Sequence, residues 1–472
     1  MKKLILLFLL LSSGTIGFSQ DKDKMALQQM TAQKLIELNR VSGVEVSKDG
    51  SVVYYAVSNV TVDDNKKTTK YYKISIKGGV AEELKSLDGL ISDKNISPST
   101  NHTLVAQDVK MQNVSGVDHY PTLEQSNMMI YNELNYRHWD HWEDGSFSHI
   151  IIKPTQGKGK EIDIMNGEAF DCPQQPFGGG EDYLWSPDGK SVLYVTKKSS
   201  GTEYAVSTNT DIYQYNLETA VTTNLTSYNK GYDTQPAFSS NGELAFLQMK
   251  REGYESDKND IVVVLDGKHV NLTKDWDGTV NGFKWSDDGS KIYFNAPVLG
   301  TVHLFEIAIP KGKNKPAPKQ ITTGQFDVNG IVGQSKNTMV VSRRDMNHAP
   351  ELYTVNLKTG TMSQLTKAND FTYHNMAMSK VESRMIKTTD GKDMLTWVIY
   401  PPDFDPTKKY PTLLYCQGGP QGALSQFYSY RWNFQLMAAN GYIIVAPNRR
   451  GMPGYGVEWN EQISKDYGGQ NM

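Results

Sequence analysis

The 472-residue sequence has little cysteine, little imbalance of charge and no long apolar run after its first residues. Two cysteines exclude a disulfide scaffold and a cysteine-based zinc finger. With 49 Lys and Arg against 52 Asp and Glu, the net charge of −3 disfavours a basic protein that binds nucleic acid or a membrane surface. What the sequence does contain, 26 Tyr and 40 Gly with few long helical stretches, favours β structure.

The first residues have the pattern of a secretory signal peptide. Lys2 and Lys3 precede an apolar run over residues 4–11, and small residues lie three and one positions before Gln20. The alternative is a membrane anchor, but the run is too short to span about 30 Å of hydrocarbon. We therefore predict a signal peptide at residues 1–19, no membrane span, and a mature protein that is exported to the periplasm or secreted.

The middle of the chain is a repeat in which a strand ends at Ser, a tight Asp-Gly or Asn-Gly turn follows, and a second apolar strand begins. Clear copies begin at Ser47, Ser186, Ser239 and Ser286, and weaker copies at Ser97 and Ser335. Such turns require a positive φ, which Gly and Asn tolerate. Four strands in about 50 residues is typical of a propeller blade. We predict a mainly β fold, with a β-propeller of about seven blades over residues 20–380; six to eight blades are compatible. A β-sandwich is the alternative.

The longest interval between copies runs from Ser97 to Ser186. It contains an unusual segment of aromatic, histidine and acidic residues at positions 136–145. His138 and His141 with neighbouring carboxylates are candidate metal ligands. Asp140, Glu143 and Asp144 are alternatively candidates to bind an ammonium group between Trp walls. In a third interpretation the segment is a hairpin packed by its own aromatic side chains.

The pattern changes after residue 380 to one typical of an α/β protein. It predicts a strand over residues 394–400, a strand buried on both faces over 412–416, a helix over 427–440 and another strand over 442–446. A Gly-Gly turn follows the second of these strands. We predict that residues 381–472 form the first part of an α/β-hydrolase domain, in which such a turn supplies backbone N–H groups to an oxyanion hole.

The combination resembles the prolyl oligopeptidase family of serine peptidases, in particular its acylaminoacyl-peptidase and dipeptidyl-peptidase 5-like branch. The motifs that carry the resemblance are QGGP, PNRRGMPGYG and YRHWDHWEDGSFSH. The resemblance implies a serine peptidase that releases dipeptides or acyl-amino acids from the N-terminus of short peptides, with no cofactor, metal or nucleic acid.

The resemblance also implies roles for particular residues. Gln417, Gly418 and Gly419 become candidates for the oxyanion loop, although relatives place Tyr or His at the position of Gln417. Glu143, Asp144 and Asp140 become candidates to anchor the amino terminus of the substrate. The sequence does not indicate an oligomeric state.

The catalytic residues that the family uses are not in this sequence. No Gly-x-Ser-x-Gly occurs, and all nine His precede residue 375. We therefore expect the catalytic Ser, Asp and His after Met472, interpret the chain as truncated, and predict that it has no peptidase activity by itself. The alternative function is a non-enzymatic exported β-propeller that serves as a binding module, which would not need the hydrolase opening over residues 394–456.

Overall fold

The computed structural model describes residues 27–157, 159–255, 257–312, 314–419 and 421–471. The predicted signal peptide lies outside these residues. Within the described ranges, no helix is long and apolar enough to cross a membrane. Strands dominate and the helices are short, in agreement with the mainly β fold that the sequence predicts.

The first half of the propeller consists of three blades, and the second blade carries a long insertion. Its elements are α1 (Ala32–Glu37), β1 (Arg40–Val46), β2 (Val52–Thr61), β3 (Lys66–Ser75), β4 (Glu82–Leu84), β5 (His102–Lys110), α2 (Gly116–His119), β6 (Arg137–His138), β7 (His141–Trp142), β8 (Ser146–Pro154), β9 (Ile162–Asp163), β10 (Tyr183–Trp185), β11 (Ser191–Thr196), α3 (Gly201–Val206), β12 (Asp211–Asn216) and β13 (Thr222–Asn224). Blades 1 and 3 are four-stranded antiparallel sheets, β1–β4 and β10–β13, and blade 2 is built from β5, β8 and β9.

Three further blades follow without long insertions. Their elements are β14 (Asp233–Phe238), β15 (Leu244–Gln248), β16 (Asp260–Leu265), β17 (Lys268–Asn271), β18 (Gly282–Trp285), β19 (Lys291–Val298), β20 (Thr301–Ala308), β21 (Lys319–Gln320), β22 (Asp327–Ser335), β23 (Thr338–Asp345), β24 (His348–Asn356), β25 (Met362–Gln364) and α4 (Asp370–His374). Blade 4 is β14–β17, blade 5 is β18–β21 and blade 6 is β22–β25, and a single parallel bridge links β20 to β22.

Hydrophobic side chains fill the spaces between neighbouring sheets at five junctions of the six-bladed propeller. Clusters that include Tyr194, Phe246, Phe294 and Val341 join blades 2 and 3, 3 and 4, 4 and 5, and 5 and 6 respectively. A further cluster joins blade 6 to blade 1, where β1 packs against β22, β23 and β24. At these five junctions the blades bury apolar faces against their neighbours, which a single blade could not do alone.

The described part of the propeller has six blades, whereas the sequence predicted about seven. The reason lies in the 89-residue interval between Ser97 and Ser186. Instead of a further blade, its residues 111–145 form an insertion between β5 and β8, which pair directly with each other. The insertion contains only the short helix α2 and the two-stranded hairpin β6–β7.

The repeated turn is stabilised by its serine. In blade 5 the Ser286 hydroxyl donates to the Asp288 carboxylate at 2.7 Å and accepts the backbone N–H of Lys291 at 3.0 Å. Gly289 adopts the left-handed conformation that closes the turn, with φ of 67°. The hydrogen bond from Ser286 is the main reason why the pKa of Asp288 is lowered to about 2.

The C-terminal segment forms a second, smaller sheet. Its elements are β26 (Val381–Lys387), β27 (Asp393–Ile399), β28 (Thr412–Leu414), α5 (Phe434–Ala439), β29 (Ile443–Pro447) and α6 (Val457–Glu461). The strand order is β26-β27-β29-β28, with β28 parallel to β29 and the other pairs antiparallel. α5 connects the two parallel strands, and the arrangement fits the start of an α/β-hydrolase domain.

Two predictions for this segment were wrong in detail. The helix begins at Phe434 rather than at residue 427, because the Ser429 hydroxyl accepts the N–H groups of the two residues before Asn433 and Asn433 then caps the helix. The strand predicted over residues 412–416 ends at Leu414 and is not buried on both faces. It lies at the edge of the sheet, and Leu414 is 64% exposed.

Candidate functional site

The hairpin β6–β7 in the blade 2 insertion presents stacked aromatic side chains. The rings of Tyr131, Tyr136 and Trp142 lie 5.4–6.1 Å apart, and Trp139 meets Phe177 edge to face at 5.9 Å. These contacts fix the shape of the segment that carries the acidic candidates. In the part of the chain that the structure describes, no group of three or more His, Cys, Asp and Glu side chains is arranged to hold a metal ion.

Glu143 lines a cavity of about 350 Å³ between this insertion and the loops of blade 3. Its backbone is held on both sides: its N–H donates to the Tyr136 carbonyl at 3.0 Å, and its carbonyl accepts the Tyr131 hydroxyl at 2.6 Å. Burial raises the pKa of the Glu143 carboxyl, and nearby His138 partly opposes this shift. The Glu143 side chain is thus a partly desolvated acid in a fixed position.

The other two acidic candidates have different surroundings. The Asp144 carboxylate accepts the backbone N–H of Ser146 at 2.8 Å, which orders the turn into β8. The Asp140 side chain is 89% exposed and lies 3.6 Å from His141. Of the three predicted anchor residues, the structure places only Glu143 in the lining of the cavity.

Sequence reasoning missed two other acids in the lining of the same cavity, Glu133 and Asp171. Asp171 lines it, and the backbone N–H of Ser148 donates to its carboxylate at 2.8 Å. Burial raises the pKa of Asp171 to about 6, and the Glu143 charge adds to this shift. Asp171 lies 28 positions after Glu143 in the chain. No local motif marks it, because β8 and β9 bring it to the cavity.

The cavity also has a cationic residue that the sequence did not indicate. Lys197 lines it, and its ammonium donates to the carbonyls of Tyr204 and Ser207 at 2.6 Å each. These bonds hold the segment that contains α3 against the cavity. The Lys197 ammonium is therefore bonded to backbone carbonyls rather than to Glu143 or Asp171.

A second cavity, of about 380 Å³, adjoins the first and reaches the hydrolase segment. The two share lining residues that include His138, Gln174 and Lys197. On its far side the second cavity is lined by Gln421 and Tyr467. The two cavities share part of their lining, and we call them together the interdomain chamber, between the propeller and the hydrolase segment.

The predicted oxyanion loop lies beside this chamber. The carbonyl of Gln417 accepts a hydrogen bond from the Arg449 guanidinium at 2.8 Å, Gly418 is exposed, and Gly419 has a positive φ of 137°. None of these three predicted residues lines the chamber, whereas Gln421, two residues after Gly419, does. Arg449 was not singled out by the sequence, and it fixes the end of the loop that follows β28.

Arg450, next to Arg449, fixes a different part of the hydrolase segment. Its buried guanidinium pairs with Asp390 and donates to the Gln462 side chain at 2.5 Å.

Residues 424–426, which follow the oxyanion loop, are held from two sides. Asn448 exchanges two 3.0 Å hydrogen bonds with the Leu424 backbone, and Asp327 of the propeller accepts from Ser425 and Gln426.

Known proteins match this chain over most of its length. Dipeptidyl-peptidase 5 from Porphyromonas gingivalis is 37% identical, with 94% of this chain and 71% of the relative covered. The chain belongs to the prolyl oligopeptidase family. Dipeptidyl-peptidase 5 from Porphyromonas endodontalis is 36% identical, with 94% and 70% covered. The chain thus spans about 70% of the length of these two relatives.

Family models and solved structures agree with this assignment. The model of the prolyl oligopeptidase family matches residues 428–472, and that of the dipeptidyl peptidase IV N-terminal region matches residues 204–395. Uncomplexed acylaminoacyl peptidase from Pyrococcus horikoshii has a TM-score of 0.71 at 16% identity, with 94% of this chain and 70% of that structure covered. At this identity the structural match supports the fold, a propeller followed by a hydrolase segment.

Proposed function

We propose that this chain supplies the propeller and the start of the peptidase domain of an exported serine peptidase, which releases dipeptides from the amino terminus of short peptides. The observation that carries the proposal is the position of Glu143. Its partly desolvated carboxylate lines one end of the interdomain chamber, and Gln421, which follows the candidate oxyanion residues in the chain, lines the other. The candidate ammonium anchor therefore lines the chamber that Gln421, two residues after the last candidate oxyanion residue, also lines.

The anchor explains why release would occur after a fixed number of residues. A substrate ammonium that binds Glu143, with Asp171 beside it, sets the distance to the bond that is cleaved. Two extended residues span at most about 7 Å, so a fixed anchor selects a dipeptide by its reach. Acyl-amino acids lack an ammonium group, so the acids of the chamber favour release of dipeptides.

Developing charge at the cleaved bond would be stabilised by the oxyanion loop. Loss of one such donor typically costs about 3 kcal/mol of barrier. In this chain, Arg449 and Asn448 fix the loop from its two ends through Gln417 and Leu424.

Export is part of the proposal and is supported by the leader pattern over residues 1–19. Amino-terminal sequencing of the mature protein from an extracytoplasmic fraction is expected to begin at Gln20. A mature protein that begins at Met1 and stays in the cytoplasm would contradict export without touching the peptidase assignment.

Calorimetric titration of the 472-residue chain with a short peptide tests the anchor. We expect N-acetylation of the peptide to weaken binding to the wild-type chain by about tenfold, because the charge-assisted hydrogen bond to Glu143 is lost. In Glu143→Gln the same acetylation should have less than a twofold effect. Asp140→Asn is the matched control, since its exposed carboxylate lies outside the chamber lining. An undiminished acetylation effect in Glu143→Gln would exclude the anchor.

A further inference from the structure

Apart from the interdomain chamber, the propeller contains another polar cavity, of about 360 Å³, which the proposed function does not use. It lies among β14, β18 and β22, the strands of blades 4 to 6 that face the axis of the ring. Two cationic side chains, Lys284 and Arg344, line it, and its described lining contains no acidic residue. We call it the axial pocket.

Arg344 is the less satisfied of the two cations. The Lys284 ammonium donates to the Val332 carbonyl at 2.6 Å. The Arg344 guanidinium lies 3.6 Å from Asp327, but its buried Nε makes no hydrogen bond within the described part of the chain. Asp327 itself already accepts from Val302 and Gln426 at 3.0 Å each and from Ser425 at 2.7 Å. Arg344 therefore keeps donors for an anion in the pocket.

Three carboxamide side chains in the lining are also unpaired. Those of Gln235, Asn281 and Asn329 make no hydrogen bond with the described residues, and Asn281 and Asn329 are exposed to solvent. Gln235 has a positive φ of 54° at a bulge in β14, and β22 is bulged beside Asn329. Strained backbone of this kind is concentrated at functional sites. Free amides are donors and acceptors suited to a peptide backbone.

The axial pocket lies close to the interdomain chamber. Tyr232 lines the chamber, and Gln235, three residues later, lines the pocket. Three residues span at most about 10 Å, so the linings approach each other within this distance. Asp327, which contacts Arg344, also contacts the hydrolase segment at Ser425. One residue, Asp327, therefore links a lining residue of the pocket to the hydrolase segment.

We propose that the axial pocket binds the C-terminal carboxylate of a short peptide substrate, with Arg344 as the cation that receives it and the three amides bonded to the peptide backbone. The inference rests on the proposed function, since the amino terminus of the same peptide is then held at Glu143. It makes the enzyme selective for peptides with a free carboxyl end, because only these place a charge at both sites.

Titration of the 472-residue chain with four forms of one hexapeptide, Ala-Ala-Gly-Ala-Gly-Ala, tests this inference. The forms are free at both ends, N-acetylated, C-amidated, and blocked at both ends. We expect C-amidation to weaken binding by about tenfold, since it removes a charge-assisted hydrogen bond. In Arg344→Gln amidation should change binding less than twofold, whereas Arg344→Lys, which keeps the charge, should retain most of the effect.

Arg343→Gln is the matched control. Its guanidinium packs over the rings of Phe326 and Tyr353 and does not line the axial pocket. The amidation effect should persist in this variant. Equal binding of the free and amidated peptides, or an amidation effect that survives in Arg344→Gln, would overturn the inference. In both cases a persisting N-acetylation effect would leave the anchor at Glu143 intact. Failure of all four peptides to bind would overturn both proposals.

Discussion

Single polar residues decide whether a blade turn forms, because each turn leaves backbone groups without strand partners. In blade 5 the Ser286 hydroxyl satisfies the N–H of Lys291 and at the same time orients Asp288, which in turn accepts the backbone N–H of Ser290 at 3.0 Å. Ser47 and Ser186 make the same pair of hydrogen bonds in their blades. One hydroxyl therefore links the two strands that meet at the turn.

Replacement of Ser286 by Ala should lower the free energy of unfolding by about 1–3 kcal/mol, because two hydrogen bonds at a buried position are lost. Urea unfolding followed by tryptophan fluorescence measures the change. Ser363→Ala is the control, since this serine is exposed on β25 and the change should stay within about 0.5 kcal/mol. Equal stability of the two variants would show that the serine does not stabilise the turn.

The acids of the chamber show what a single sequence reveals about a site. Glu143 could be proposed because aromatic and acidic residues surround it in the sequence. Its neighbours Asp140 and Asp144 share that pattern, and only folding separates an exposed side chain and a turn cap from a chamber residue. Asp171 could not be proposed, because a contact with Ser148 across β8 and β9 creates its environment.

At the level of elements, the propeller and the hydrolase segment are joined by a buried acid at the start of β22. Asp327 is fully buried and accepts hydrogen bonds from Val302 in blade 5 and from Ser425 and Gln426 in the loop that leads to α5. The same loop carries the candidate oxyanion residues a few positions earlier. Asp327 therefore positions this loop relative to the ring.

Replacement of Asp327 by Ala should free the loop and cost about 2–4 kcal/mol of stability, since buried donors lose their acceptor. Hydrogen exchange of the amides at residues 424–426 should accelerate at least tenfold. Glu351→Ala is the matched control. Glu351 is also buried in blade 6, but it accepts from Thr366 and Asn369 within the propeller. Acceleration at 424–426 of the same size in both variants would exclude a specific role for Asp327.

Turns, helices and strands could be predicted from the sequence where the residues that determine them are neighbours in the chain. The blade turns follow from Ser, Asp and Gly within four residues, and these turns carry the fold. The start of α5 was misplaced because the apolar pattern begins earlier than the cap, and Ser429 diverts the chain first. The number of blades was overestimated, since a long interval alone does not distinguish an inserted hairpin from a further blade.

Across the whole molecule, the buried acids and the acids of the blade turns change the free energy of unfolding in opposite directions as the pH rises. Burial raises the pKa of Asp182, Asp233 and Glu351 to about 7 each. The folded state then binds more protons than the unfolded state between about pH 4 and 7, so stability falls as pH rises through this window. Hydrogen bonds from serine lower the pKa of Asp49 and Asp288 to about 2, so their contribution is lost as pH falls from about 4 to 2.

The two effects together predict a maximum of stability near pH 4–5, with a loss on the order of several kcal/mol by pH 8. Urea titrations at intervals of one pH unit measure this profile. Asp233→Asn, which removes one titrating group, should reduce the slope between pH 5 and 8. A profile that rises steadily to pH 8, or a slope that Asp233→Asn does not change, would contradict the assignment of these carboxyl groups.

The central claim is that Glu143 holds the amino terminus of a peptide in the interdomain chamber, and substrate turnover tests it most directly. In a protein in which this chain continues into a complete peptidase domain, KM is measured for a dipeptidyl 4-nitroanilide with a free amine and for its N-acetylated form. We predict that Glu143→Ala raises KM for the free amine about tenfold to a hundredfold and for the acetylated form less than twofold. Equal changes in KM for the two substrates would contradict the account.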